Sequence, residues 1–166
     1  MAGISQAEFD SVFNNWYEPI RNYIYYKSGN IEVAEDTAQD AFLKIWEKRA
    51  EVRVETVKQL LYTTANNLFL NKVEHQKVTF NFRNTLRTDR LDESPEYLLE
   101  MKEFDAKLQR SIGELDDKRR TVFLMNRIDK LTYRQIADNL GITVKAVEKR
   151  MEKALSFLKK ELNMNI

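Results

Sequence analysis

A chain of 166 residues with 43% hydrophobic and 32% charged residues suits one domain or two small ones and is too apolar to stay disordered. It has no cysteine, which excludes a disulfide framework and a thiolate metal site, and a net charge of only +1, which by itself gives no hint of a polyanionic partner. Its notable uncharged run, Gln59 to Asn71, is too short and too polar to span a bilayer, and the N-terminus lacks the basic-then-apolar pattern of a signal peptide, so a cytoplasmic protein is expected.

Nearly the whole chain reads as helix, with four glycines and two prolines to interrupt it. Ser5 and Glu8 form a capping box, and apolar residues recur at Phe9, Val12, Phe13, Trp16, Ile20 and Ile24 until Gly29 stops the helix. A second helix is predicted from about Ile31 to Lys48, then a charged loop over Arg49 to Glu55, then a third helix from about Thr56 to Lys77. From Val78 to Glu93 the apolar period fades, which predicts a linker. Ser94-Pro95-Glu96 combines an N-cap with proline at the first helical position and opens a helix toward Gly113. Asp116 or Asp117 caps the next helix, which ends near Ile128. Thr132 and Gln135 make a second capping box, Gly141 breaks the chain, and Thr143 caps a last helix to Leu162.

This layout predicts an all-α protein with two small helical domains, 1–78 and 94–166, joined by a flexible linker at 79–93. Residues 1–48 carry four basic and eight acidic side chains, a net of −4, whereas residues 118–160 carry twelve basic and four acidic, a net of +8. Phosphate responds to the local field, so the second domain is the candidate nucleic-acid binder. Its Thr132–Leu140 helix, Gly141-Ile142-Thr143 turn and Val144–Leu162 helix have the helix-turn-helix arrangement. Ala137 is small where the helices cross, and Ile142 and Val147 plug the space between them. At 100° per residue, Val144, Val147, Met151, Ala154, Leu155 and Leu158 turn inward. Lys145, Lys149 and Lys153 turn outward with Ala146 between them and Arg150 beside them, as a recognition helix would for the major groove. Arg119, Arg120 and Arg134 are candidate phosphate contacts.

In the second helix Ala34, Ala38, Ala41 and Ile45 face inward. The opposite face sets Leu43 among Asp36, Gln39, Asp40 and Glu47, with Phe42 and Trp46 at the boundary, which resembles a partner surface. The third helix mixes Tyr62 and Phe69 with Asn66 and Asn67, followed by Lys72, His75 and Lys77. That mixture suits stacking on single-stranded bases and equally suits an aromatic core. With one histidine, no Gly-rich phosphate loop and carboxylates placed as helix-start charges, no catalytic set, metal site or cofactor site is expected.

The segments "AEDTAQDAFLKIWEK" (34–48), "VKQLLYTTANNLFLNKV" (57–73) and "LDDKRRTVFLMNRIDKLTYRQIADNLGITVKAVEKRMEKALSFLKKEL" (115–162) resemble the extracytoplasmic-function, or group IV, sigma factors of bacterial RNA polymerase, members of the sigma-70 family. The resemblance implies a promoter-specificity subunit without catalysis of its own. It implies that Asp36, Gln39, Asp40, Phe42, Leu43 and Trp46 bind the β′ clamp helices of core RNA polymerase, with the β flap as a further contact. Tyr62, Asn66, Asn67 and Lys72 would read the melted −10 element. Lys145, Ala146, Lys149, Arg150, Lys153, Arg134, Arg119 and Arg120 would meet the duplex −35 element. An anti-sigma factor, often membrane-anchored, is the implied regulator. Leu60, Asn66 and Asn71 stand where the family often has tryptophan, arginine and aspartate, so the strand-opening helix is less basic than usual. The alternative from the residues alone is a conventional helix-turn-helix regulator with an N-terminal interaction domain.

Overall fold

The computed structural model describes residues 3–72, 78–80 and 95–163. Seven α-helices account for most of these residues: α1 (Gln6–Ser28), α2 (Ile31–Glu47), α3 (Val57–Lys72), α4 (Pro95–Glu114), α5 (Asp117–Arg127), α6 (Tyr133–Leu140) and α7 (Val144–Leu162). The protein is all-α. Among the described residues no helix is long and apolar enough to cross a membrane.

The helix ends follow local chemistry. Ser5 accepts from the Glu8 N–H and Glu8 returns the bond to the Ser5 N–H, so two orphan donors are satisfied together. Thr132 and Gln135 repeat this at α6, while Asn30, Asp116 and Thr143 cap α2, α5 and α7 singly. Gly29 takes φ +68°, and a Cβ there would lie 2.6 Å from a Val78 methyl, so both conformation and space require glycine. Gly141 takes φ +67° with open space around it, so there the requirement is conformational alone. α4 passes through Gly113 and ends at Glu114, one residue beyond the expected stop. The charged loop after α2 holds a short 3-10 turn at Val54–Thr56.

In the first module α1, α2 and α3 pack on one another through Ile20, Ile24, Ala34, Ala38, Ala41 and Leu61, each fully buried. The run of alanines on α2 lets α1 approach closely. In the second, α5, α6 and α7 close around Val122, Leu124, Ile136, Val147 and Met151, and α4 packs on α7. Val144 departs from the expected inward facing and is 39% exposed, because it opens α7 ahead of the turn that meets α5.

The two modules form one continuous core, with α1 against α5 and α3 against α6. The first residues of the expected linker are part of this seam. Phe80 is buried, stands edge-on to Tyr25 at 5.6 Å, and lies under the Arg120 guanidinium at 5.3 Å. The remainder of the expected linker, together with His75 and Lys77, lies outside the described residues.

Candidate nucleic-acid faces and partner groove

Three surfaces carry the candidate residues, and they differ in how accessible they are. The first is the outer face of the helix-turn-helix. The Gly141 and Ile142 N–H groups both donate to the Ala137 carbonyl, which turns the chain sharply into α7. Val147, Met151, Ala154 and Leu158 seal the inner side of α7. Lys145, Lys149 and Lys153 are consequently exposed along the outer side, and no carboxylate among the described residues pairs with them. Ala146 is half-buried and Arg134 of α6 is exposed on the same module. Arg150 is half-buried, and its charge opposes part of the rise that burial and Asp117 cause in the Tyr23 pKa. Arg119 pairs with Asp116 at 3.3 Å near the start of α5.

Arg120 is a correction to the sequence reading. It is 2% exposed, so its guanidinium is not offered at the surface as a phosphate contact would be. Its Nε and Nη2 donate to the Tyr26 and Lys27 carbonyls at 2.7 Å, and its Nη1 donates to the Leu115 carbonyl at 2.6 Å. Tyr26 and Lys27 lie in the last turn of α1, whose final carbonyls have no partner within the helix and carry the negative end of its dipole. A planar guanidinium satisfies two of them at once, which a lysine cannot do. Burial pulls its pKa down, and nearby Asp117 and Asp116 oppose that shift.

The second surface is a groove of about 410 Å³ between α1 and α2, lined by Phe9, Phe13, Phe42, Leu43 and Trp46 with Gln39 and Asp10 at its rim. Leu43 is 54% exposed. Phe42 lies beneath it, buried, with Phe13 edge-on at 5.1 Å, and Phe9 tilts against Trp46 at 5.0 Å. The Arg49 guanidinium stacks 4.0 Å from the Trp46 ring and so fixes the far wall. Asp36 and Gln39 are exposed, while Asp40 accepts from Lys72 at 2.5 Å. Phe9 and Phe13 were read in the sequence only as α1 core. Their excess over a single apolar stripe was the available sign that α1 has a second apolar face.

The third surface, the aromatic and amide face of α3, is covered. Tyr62 is 3% exposed, with Trp16 and Tyr23 edge-on to it at 6.4 and 5.1 Å. Its hydroxyl accepts from Asn139 Nδ2 of α6 at 3.4 Å, and burial first, then the Asp129 carboxylate, raise its pKa. Asn66 is half-buried, and its buried Oδ1 has no hydrogen-bond partner. Asn67 is exposed, and Lys72 is held by Asp40. In this arrangement the candidate strand-reading residues do not form one open face.

What covers α3 is a polar seam. Asp129, after α5, accepts from the Tyr26 hydroxyl at 2.5 Å and from Asn22 Nδ2 at 3.2 Å. Burial raises the Asp129 pKa, and these two bonds partly offset that. Lys27 meets Asp117 at 2.8 Å, Lys58 pairs with Asp138, and Gln59 donates to the Asp138 carbonyl at 3.3 Å. Beside these contacts a cleft of about 750 Å³ opens between α1 and the α5–α6 corner. Among the described residues no cluster of histidine and carboxylate side chains is placed to hold a metal ion.

The chain matches two family models in order: "Sigma-70 region 2" over residues 12–79 and "Sigma-70, region 4" over residues 105–158. It is similar to the RNA polymerase sigma factor YlaC of Bacillus subtilis, with 26% identity over 92% of this chain and 91% of that protein. The ECF RNA polymerase sigma factor SigW of Bacillus subtilis is 27% identical, over 95% and 90%. The ferric citrate uptake sigma factor FecI of Escherichia coli is 24% identical, over 89% and 86%. Among solved structures, the sigma factor RpoE of Bartonella quintana, crystallised with the anti-sigma factor NepR, shares the fold with a TM-score of 0.60 and 16% identity, over 95% of this chain and 98% of that one.

Proposed function

Because the chain belongs to the sigma-70 family of RNA polymerase sigma factors, in its short extracytoplasmic-function form, we propose that it binds core RNA polymerase through the α1–α2 groove and directs it to promoters. The first module, 1–78, supplies the polymerase groove and the −10 reader. The second, 94–166, supplies the −35 reader, and 79–93 connects them. The observation that carries this reading is the groove. An exposed leucine over a bed of aromatics, rimmed by Asp10 and Gln39, is costly on a solvated helix and suits a partner presenting apolar and basic side chains. A DNA regulator needs no such feature.

The outer face of α7 reads the −35 duplex, with Lys145, Lys149 and Lys153 toward base edges and phosphates and Arg134 and Arg119 fixing register. The α3 face reads the melted −10 strand by stacking on Tyr62 and hydrogen bonding to Asn66 and Asn67, with Lys72 on the backbone. The protein performs no chemistry itself. The polymerase makes RNA, and this subunit supplies sequence choice and holds the open strand. It acts in the cytoplasm, where the polymerase works, and an anti-sigma factor that covers one of these faces is the expected regulator.

The test is affinity for core polymerase. Leu43→Glu places a charge on the apolar bed and is expected to lower that affinity by at least about thirtyfold, the effect of a central interface residue worth about 2 kcal/mol. Its helical content and its duplex binding should not change. Core binding that survives the substitution, or an absence of core binding by the unaltered chain at micromolar concentration, removes the proposal.

A further inference from the structure

We infer that Gly3 and Ile4 are a positioning element of the α1–α2 groove: they strap the start of α1 to the turn that follows α2 and hold Arg49 against Trp46, so that the aromatic wall a partner meets is preset. The partner's identity rests on the functional reading above. The strap rests on the contacts at this end of the groove.

The strap is a close backbone fit. The Ile4 N–H donates to the Arg49 carbonyl at 2.8 Å. Gly3 passes over the Arg49–Ala50 peptide, where an added Cβ would lie 2.1 Å from the Arg49 oxygen and 2.5 Å from the Ala50 Cα, so no side chain fits. Ile4 is 4% exposed, which anchors the strap by its side chain as well as its N–H. It also stands just before the N-cap Ser5, with Phe9 four residues beyond that cap. These are the two positions of a hydrophobic staple, which fixes the angle at which a chain enters its helix. Ile4 is thus tied to the turn after α2 by its backbone and set opposite a groove residue of α1 by its place in the sequence.

Arg49 is where the strap meets the groove. Its N–H and its Nη1 both donate to the Trp46 carbonyl, at 3.2 and 2.9 Å, and its guanidinium lies 4.0 Å from the Trp46 ring. The Trp46 carbonyl is among the last four of α2, which lack partners in the helix ladder and carry the negative end of its dipole, so it favours a cation there. The backbone of Arg49 is therefore held on both sides, by Trp46 at its N–H and by Ile4 at its carbonyl. These ties limit the freedom that an exposed arginine otherwise has. Trp46 is met by α1 through Phe9, at 5.0 Å, and by its own turn through Arg49.

Preset geometry has value at this place. Aromatic anchors are the residues on which interface affinity concentrates. A ring already held in its bound position has less freedom to lose when a partner arrives. The strap joins the first residues of α1 to the turn after α2, and these two helices are the walls of the groove. It sets their spacing at the end where Phe9 and Trp46 stand. Arg53, in the same turn, pairs with Glu55 at 3.8 Å instead and supplies a natural control.

The experiment uses the full chain with Trp16→Phe throughout, which leaves Trp46 as the only tryptophan. Two quantities are read on each variant: acrylamide quenching of Trp46 emission in the free protein, and affinity for core polymerase. Gly3→Val displaces the strap, and Arg49→Ala takes the cation off the ring. Each should make Trp46 more readily quenched and lower core affinity by roughly two- to fivefold, the equivalent of an exposed cation–π contact. The double variant should lose no more than the larger single loss, because both changes act on one device. Ile4→Val, which keeps a buried branched side chain and the N–H, should behave as the parent chain. So should Arg53→Ala, which removes the same charge from the same turn. A strap that only stabilises the fold would lower the unfolding midpoint while leaving Trp46 quenching and core affinity of the folded protein unchanged, and that result overturns the inference. An Arg53→Ala loss equal to that of Arg49→Ala overturns it too, since charge alone would then be at work. If Leu43→Glu weakens core binding while neither Gly3→Val nor Arg49→Ala does, the strap fails and the functional reading stands. If Leu43→Glu leaves core binding intact, the functional reading fails, and with it the value of a preset wall to the polymerase.

Discussion

The two helices proposed to meet DNA are in opposite conditions. The lysine face of α7 is open, charged and without an ion-pair partner among the described residues, whereas the face of α3 around Tyr62 is aromatic and folded into a seam. The contrast fits what each is proposed to recognise. Duplex DNA is met by lysines that water solvates well, so an unoccupied face costs nothing. A melted base is held by stacking on an apolar ring, and an exposed patch of Trp16, Tyr23 and Tyr62 would invite other proteins while it waited. In the structure that patch is covered, with the Tyr62 hydroxyl accepting from Asn139.

The largest effect expected from this contrast is at Arg120, the residue that joins the covered side. Arg120→Ala strands the terminal carbonyls of α1 and opens a gap over Phe80, and should cost about 3–5 kcal/mol in urea unfolding, by analogy with removal of a buried charged partner. Arg120→Lys should recover less than half, since one ammonium cannot fork to both carbonyls. Separation of a single transition into two would show that the modules fold alone once the seam is gone. A cost below about 1 kcal/mol would mean that Arg120 does not hold the seam in solution.

At Asp129 two substitutions make opposite demands. Asp129→Leu leaves the Tyr26 hydroxyl and the Asn22 amide without an acceptor and should cost about 1–3 kcal/mol. Asp129→Asn keeps an oxygen acceptor and removes the charge whose burial raises the pKa, so it should be neutral or slightly stabilising. The raised pKa has a defined sign in linkage. The docked state binds a proton more tightly, so this group's contribution to docking is greatest below the ordinary carboxylate pKa and falls as pH rises toward the docked value. Comparing Asp129→Asn with the unaltered chain across that window isolates it from the Lys27 and Lys58 pairs, which the substitution leaves in place. An Asp129→Asn variant that unfolds as readily as the leucine variant breaks this account.

On the open side the same kind of change should leave stability alone. Lys149→Ala should shift unfolding by less than about 0.5 kcal/mol. It should weaken duplex binding by roughly tenfold and flatten the salt dependence by about 0.9 in log–log slope if Lys149 meets one phosphate. Duplex binding that ignores this substitution would put the reading face elsewhere.

The same contrast explains which features were legible in the sequence. Caps, turns and the facing of α7 depend on neighbours within a few residues, so a 100° wheel and the Ser5, Thr132, Thr143, Gly29 and Gly141 signals sufficed. The alanine stripe of α2 and the outward Leu43 were legible for the same reason. The seam was not. Arg120 looks like one more member of a basic run, and only partners 93 and 94 residues away turn it inward. Tyr62 reads as strand-binder or core with equal ease, and contacts with Asn139, 77 residues on, settle its resting place. Periodicity near Val144 overstated burial because a helix's first turn projects beyond the helices it packs on. Phe80 carried no signal, since an isolated aromatic in a polar stretch has no period.

The smallest effect is expected where the open and covered sides meet. Asp40 lies beside the groove and holds Lys72 at the end of α3, a half-exposed pair at 2.5 Å. Such pairs are worth at most about 1 kcal/mol, so Asp40→Asn should barely move the unfolding midpoint. Its effects on binding should have opposite signs. Affinity for a basic polymerase surface should fall, because an acid is lost from the rim, while affinity for single-stranded DNA should rise modestly, because Lys72 is released. Both shifts should fade in high salt, where the pair and its replacements are screened alike. A partner that engages Asp40 would then do to Lys72 what the substitution does, handing a cation to DNA as the polymerase is gripped. If both affinities fall together in Asp40→Asn, the pair is only a surface contact, and the two sides of the molecule are joined by the seam alone.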